Sequence, residues 1–181
     1  MEEEIILEVE DNCERALNNL KERFKTVRTG RANPSSLDKV MVNYYGVPTP
    51  LRQLANITVP EARQLLIKPF DKGALSGIEK GIYEAELGYT PNNDGESIRI
   101  IIPDLTEDRR RELVKQVKAM SEEAKVAVRN ARRDGLDMVK KAEMSEDEEK
   151  HMEVEIQDIV NKYNKKIEEE LEVKESDLMS V

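Results

Sequence analysis

From Thr106 to Ala142 the chain repeats apolar side chains at helical spacing, a run longer than most globular helices, and this limits the folds open to it. Leu113, Val117, Met120, Ala124, Ala127, Val128, Ala131, Met138 and Ala142 share one side. Pro103 precedes the run, and Thr106 followed by Glu107 and Asp108 reads as an N-cap with acids in the first turn. At about 1.5 Å per residue such a helix is roughly 55 Å long. A similar run earlier in the chain holds Ile6, Val9, Cys13, Ala16, Leu17, Leu20, Phe24 and Val27. Its expected end is Thr29-Gly30, because glycine commonly follows a helix C-terminus. A third run opens on the capping-box pattern Ser145-Glu146-Asp147-Glu148 and carries Met152, Ile156, Ile159, Val160, Tyr163, Ile167 and Leu171. Three such stripes must bury themselves on one another, which predicts an antiparallel three-helix bundle. Aromatic residues are only 4% of the chain and Trp is absent, too little bulk for a wide core. Leu, Ile, Val, Met and Ala suffice for a narrow seam between helices.

The segment from about Ala32 to Asp104 is written differently. It holds all seven prolines and six of the eight glycines. Short β-branched or alternating runs appear at 39–44, 56–59, 65–68 and 97–102, and Asn92-Asn93-Asp94-Gly95 is a turn signal before the last. Ile78, Ile82 and Ala85 predict one short helix between Gly73 and Glu86. The expected architecture is α+β with two domains, a long antiparallel three-helix bundle (1–30 and 105–181) carrying an inserted small β/α/β domain (31–104). Two short connections, Gly30 to Pro34 and Pro103 to Thr106, join them and suggest a hinge.

Catalytic chemistry finds little support. The only histidine, His151, stands in an acidic first turn, and the only cysteine, Cys13, lies on an apolar seam. One His and one Cys do not build a zinc site unaided, and no glycine stands in a Walker-type phosphate loop. The expectation is a non-enzyme with no cofactor and no metal. The acidic opening residues lack a signal-peptide pattern, and no apolar stretch approaches the roughly 20 residues of a membrane span. A lone cysteine suits a reducing compartment, so a cytoplasmic protein is expected.

The formal net charge of −9 hides an uneven distribution. Residues 2–14 carry seven acids and no base, and residues 145–178 carry thirteen acids and five bases. Residues 107–142 carry eleven bases and seven acids. At about 100° per residue, Arg111, Lys115, Lys118, Lys125, Arg129, Arg132, Arg133 and Lys140 fall in a stripe roughly 100° wide, interrupted only by Glu122. The apolar seam centres roughly 200° away from Arg111 on the same projection. Segregating like charge costs self-repulsion, so it points to a polyanion. A row of phosphates is the leading partner, read by backbone and shape, since few aromatics stand near for stacking. An acidic protein surface and internal pairing with the acidic third helix are the alternatives, the latter limited if the stripe faces away from the seam.

Read end to end, the chain resembles the bacterial ribosome recycling factor family. The resemblance rests on Val27-Arg28-Thr29-Gly30-Arg31-Ala32-Asn33-Pro34-Ser35, on Tyr44-Tyr45-Gly46-Val47-Pro48-Thr49-Pro50-Leu51-Arg52-Gln53-Leu54-Ala55, on Leu105-Thr106-Glu107-Asp108-Arg109-Arg110 and on Ala127-Val128-Arg129-Asn130-Ala131-Arg132-Arg133-Asp134. Gly135 departs from the alanine expected after the last of these. It lies on the apolar side of the helix, where it lets a neighbour approach closely at about 1 kcal/mol of helix propensity relative to Ala, and is expected to soften the helix locally. The resemblance implies a factor that enters the vacant ribosome after peptide release and lays its bundle along large-subunit rRNA. Elongation factor G, with GTP hydrolysis, then drives the subunits apart. It places rRNA contacts at Arg110, Arg129, Arg132 and Arg133, to which the stripe adds Lys115, Lys118 and Lys125. The hinge would comprise Arg28, Thr29, Gly30, Arg31, Pro103, Asp104, Leu105 and Thr106. It implies that Tyr44 to Leu54 faces elongation factor G or a small-subunit protein, although Tyr44 by itself reads better as core filling. The expected state is a monomer, with neither DNA nor membrane as partner. The rival from another class is a helical adaptor or chaperone-like interaction module.

Overall fold

The computed structural model describes residues 1–180 and divides into two compact units, Met1–Thr29 with Thr106 onward, and Gly30–Leu105. The first unit is three long helices: α1 (Glu2–Lys25), α4 (Glu107–Lys141) and α5 (Glu146–Met179). Their side-chain pairs show the directions. Arg23 meets Glu123 and Val9 lies against Gly135, so α1 and α4 are antiparallel. Lys118 meets Glu175 and Lys125 meets Glu168, so α4 and α5 are antiparallel too. Lys162 pairs with Glu10 at 3.2 Å and Glu170 with Lys21 at 3.8 Å, making α1 and α5 parallel. This is the up-down-up bundle that the three stripes require.

Capping chemistry explains the starts of the two later helices. The Thr106 hydroxyl accepts Arg109 N–H at 3.2 Å at the start of α4. At the start of α5, Glu148 N–H donates to Ser145 Oγ at 3.3 Å while Ser145 N–H donates to Glu148 Oε2 at 2.8 Å. The first helix ends earlier than glycine placement suggests. Thr26 caps it in a right-handed conformation, while Gly30, with φ of 76°, lies beyond the helix in the connecting segment. The chain still packs past the helix end, for Val27 is buried.

The buried face of α4 is Leu113, Val117, Ser121, Ala124, Val128, Ala131, Gly135 and Val139. Met120 and Met138 are only half-buried and Ala127 is exposed, against expectation. On the helical projection this turns the seam by about 40°, toward the Lys125 and Arg132 edge of the basic stripe. Ser121 and Val139 join the buried face on that side, and Gly135 lets Val9 of α1 come close, as its place on the apolar side predicts.

The second unit holds two sheets around its own core. Strands β1 (Met41–Tyr44) and β2 (Val47–Pro50) form a hairpin, followed by the single turn α2 (Leu51–Leu54). Strands β3 (Ala55–Glu61), β4 (Gln64–Pro69), β5 (Pro91–Asn93) and β6 (Ile98–Ile101) form an antiparallel sheet in the order β3-β4-β6-β5. Strands β2 and β5 had no sequence signal. Both are edge strands, where proline need not supply a ladder donor, so Pro48, Pro50 and Pro91 are tolerated. Helix α3 (Leu75–Glu84) lies on β1, and a Cβ at Gly81 would fall 2.8 Å from the Met41 carbonyl oxygen. Leu37, Val40, Leu65, Ile67, Ile78, Ile82, Ile98 and Ile100 fill this core.

Candidate nucleic-acid interface

Helix α4 carries the basic stripe, and its charges divide into those held by carboxylates and those that are not. Arg111 pairs with Glu107 one turn back at 2.7 Å. Lys118 has a loose contact to Glu175 at 3.8 Å, and Lys125 pairs closely with Glu168 and, at 3.4 Å, with Glu122. Only 26% of the Lys125 side chain is exposed, and the Glu168 carboxylate raises its pKa above the ordinary lysine value. Arg133 has only a loose contact, Nε to Asp134 Oδ1 at 3.8 Å. Among the described residues Lys115, Arg129, Arg132 and Lys140 form no ion pair, and all four are exposed.

Internal pairing therefore takes a larger part than the projection allowed. The rotation of the seam brings the Lys118 and Lys125 edge beside α5, whose acids reach it. Exposed and partly exposed ion pairs of this kind are weak, about 0–1 kcal/mol each, so they bias the lysines without locking them. The guanidinium groups at Arg129, Arg132 and Arg133 stay on the solvent side. Arg110 is set apart: it is half-buried in the first turn, roughly 100° from the middle of the stripe.

What this edge can do chemically is bind oxyanions. Two unpaired guanidiniums on successive turns of a rigid helix present fixed forks of donors, suited to bidentate contact with phosphate. Two of the acids that shape the stripe, Glu168 and Glu175, stand on α5, outside any count along α4. Their signal was present: they stand one heptad apart, as Lys118 and Lys125 do.

The connecting segments are anchored on the small unit. Ala32 N–H donates to Ala62 O at 2.8 Å and Ile102 N–H to Arg63 O at 2.8 Å. Arg63 also pairs with Asp104 at 2.6 Å, so the β3–β4 turn holds both segments. A Cβ at Gly30 would lie 3.3 Å from Leu105 Cγ, which places Gly30 and Leu105 side by side. On the bundle, Lys174 Nζ donates to Val27 O at 3.0 Å, and Thr106 is the α4 cap. Arg28 and Arg31 are exposed, Thr29 is half-exposed and Pro103 is exposed. In the small unit Tyr44 and Tyr45 both donate to Asp71 Oδ2, at 3.0 and 3.4 Å. The Gly73 N–H and then the Tyr44 hydroxyl hold the Asp71 carboxyl below its usual pKa. Tyr44 packs partly against the core, whereas Tyr45 is fully presented at the hairpin tip with φ of 47°.

Among the described residues no group of His, Cys, Asp and Glu is placed to hold a metal ion, and no helix is long and apolar enough to cross a membrane.

The family model described as ribosome recycling factor matches residues 20–179. A ribosome-recycling factor of Caldicellulosiruptor saccharolyticus is 54% identical over 176 residues, covering 95% of this chain and 96% of that one. A solution structure of the ribosome recycling factor is similar with a TM-score of 0.82 at 40% identity, covering 99% of this chain and 98% of the other. A second structure, with a TM-score of 0.67 at 40% identity, covers 99% of this chain and 100% of its own. It is described as a model of the T. thermophilus ribosome recycling factor, with E. coli elongation factor G, bound to the E. coli post-termination complex.

Proposed function

The chain belongs to the ribosome recycling factor family, and from that premise we propose that it separates post-termination ribosomes into subunits together with elongation factor G and GTP hydrolysis. In this reading the bundle binds large-subunit rRNA as a monomer through α4. Arg129, Arg132 and Arg133 supply the principal phosphate contacts, with Arg110 at the start of the helix. Lys115 adds an open charge, and Lys118 and Lys125 contribute once RNA competes with their glutamates. The chain makes and breaks no covalent bond itself; its partner GTPase supplies the energy. Force on the small unit would be transmitted through the segments at Arg28–Arg31 and Pro103–Thr106 while the bundle stays anchored.

The observation that carries this reading is the pair of exposed, unpaired guanidiniums at Arg129 and Arg132 on a 35-residue helix. Binding to large ribosomal subunits, measured by co-sedimentation over a salt series, tests it. Arg132→Ala or Arg129→Ala should each weaken binding by about 1–3 kcal/mol, the range for a charge-assisted contact. The wild-type log–log salt slope should be near −0.7 to −0.9 for each phosphate neutralised. A flat salt response would sink the electrostatic argument. An adaptor or chaperone-like protein would not follow the subunits at all.

A further inference from the structure

Two side-chain contacts mark the register between α4 and α5. Lys118 faces Glu175 and Lys125 faces Glu168. The lysines stand one heptad apart and so do the glutamates, running in opposite directions along antiparallel helices. One more heptad along α4 is Arg132, and one more heptad back along α5 is Asn161. The α5 position that answers Arg132 thus carries an amide where the two before it carry carboxylates. The Asn161 carbonyl oxygen is itself engaged, accepting Gln157 Nε2 at 2.8 Å, and Arg132 forms no ion pair among the described residues.

We propose that this row of α5 is a charge mask that selects which α4 cations meet ribonucleotide phosphate: Glu175 and Glu168 restrain Lys118 and Lys125, and Asn161 leaves Arg132 open. The inference rests on the rRNA-binding reading above. A carboxylate beside a cation lowers the positive potential that a phosphate would feel, and the phosphate must displace it or share the cation with it. The footprint is then led by the arginines and not by the full stripe. Residues of α5 that touch no RNA set both its strength and its salt dependence.

The test is large-subunit co-sedimentation over a salt series, with thermal melts to confirm folding. Glu168→Gln, alone and with Glu175→Gln, should tighten binding, by up to about fivefold for each pair removed, the equivalent of about 1 kcal/mol. The salt slope should steepen by about 0.7–0.9 for each lysine released. Asn161→Glu should weaken binding and flatten the slope as Arg132→Ala does. Lys165, one turn on, competes for that new carboxylate, so N161E is also measured in a Lys165→Gln background against K165Q alone. Asn18→Glu, on the exposed side of α1, controls for one added negative charge and should move neither quantity. Wild-type binding with affinity and slope unmoved by E168Q and E175Q overturns the mask alone. Wild-type protein that fails to bind the subunits overturns the mask and the rRNA reading together.

Discussion

Gly135 stands where α4 passes both other helices. A Cβ built there would fall inside the contact distance of Val9 Cγ2 and lie 3.4 Å from Ile156 Cδ1. Helix α4 runs unbroken through this position, from Glu107 to Lys141. Val9 occupies the space that an alanine methyl would need. Gly135→Ala gains about 1 kcal/mol of helix propensity but overpacks a seam, which typically costs about 1–3 kcal/mol. Valine in a helix is held mostly in one χ1 rotamer, so the clash is not easily relieved. The substitution should therefore leave stability unchanged or lower it by up to about 2 kcal/mol. Combined with Val9→Ala it should be less harmful than the two single changes added together, a coupling that denaturant unfolding of the cycle measures.

The start of α5 shows why an acidic helix holds its end. Glu146, Asp147, Glu148 and Glu149 crowd the first turn, where the helix dipole favours negative charge. The Ser145 hydroxyl, followed by the Ser145 backbone N–H, lowers the Glu148 pKa. The group is an acid whose folded value lies below its ordinary one of 4.5, so its stabilising effect is present above that value. It is lost as pH falls through the lowered one. Ser145→Ala should cost about 1 kcal/mol, visible as a fall in Tm of roughly 2–4 °C for a chain of this size. The loss should shrink in acid, because a protonated Glu148 no longer closes the box. An unchanged Tm at neutral pH would mean that the cap contributes nothing to the bundle.

Between the two units the chain crosses twice, after Thr29 and after Leu105. Ala62, Arg63 and Asp104 tie both crossings to the small unit, while Lys174 and Thr106 fix the bundle ends of the chain. In the lever reading proposed above, bending would fall on the few backbone positions left between these anchors. An engineered cross-link between the units should leave binding to large subunits intact and abolish splitting in a post-termination assay with elongation factor G and GTP. Splitting that survives the cross-link would show that force does not pass through these segments.

Much of this organisation is written locally. Helical spacing from Val9 to Phe24, from Leu113 to Ala131 and from Met152 to Ile167 needs only a count along the chain, as does the gathering of arginines on one side of α4. Proline-bearing edge strands such as Val47–Pro50 escape the same count, because their partner strand and not their own composition makes them strands. The seam's rotation escapes it too, since Ser121 is buried by the close approach of neighbours and not by hydrophobicity. Periodicity and sidedness belong to one helix taken alone, so the amino-acid order settles them. Which cation stays open belongs to the register of two helices, where Glu168 meets Lys125 and Asn161 answers Arg132. That register is set by packing between distant segments, because the depth and rotation of each seam depend on what lies against it.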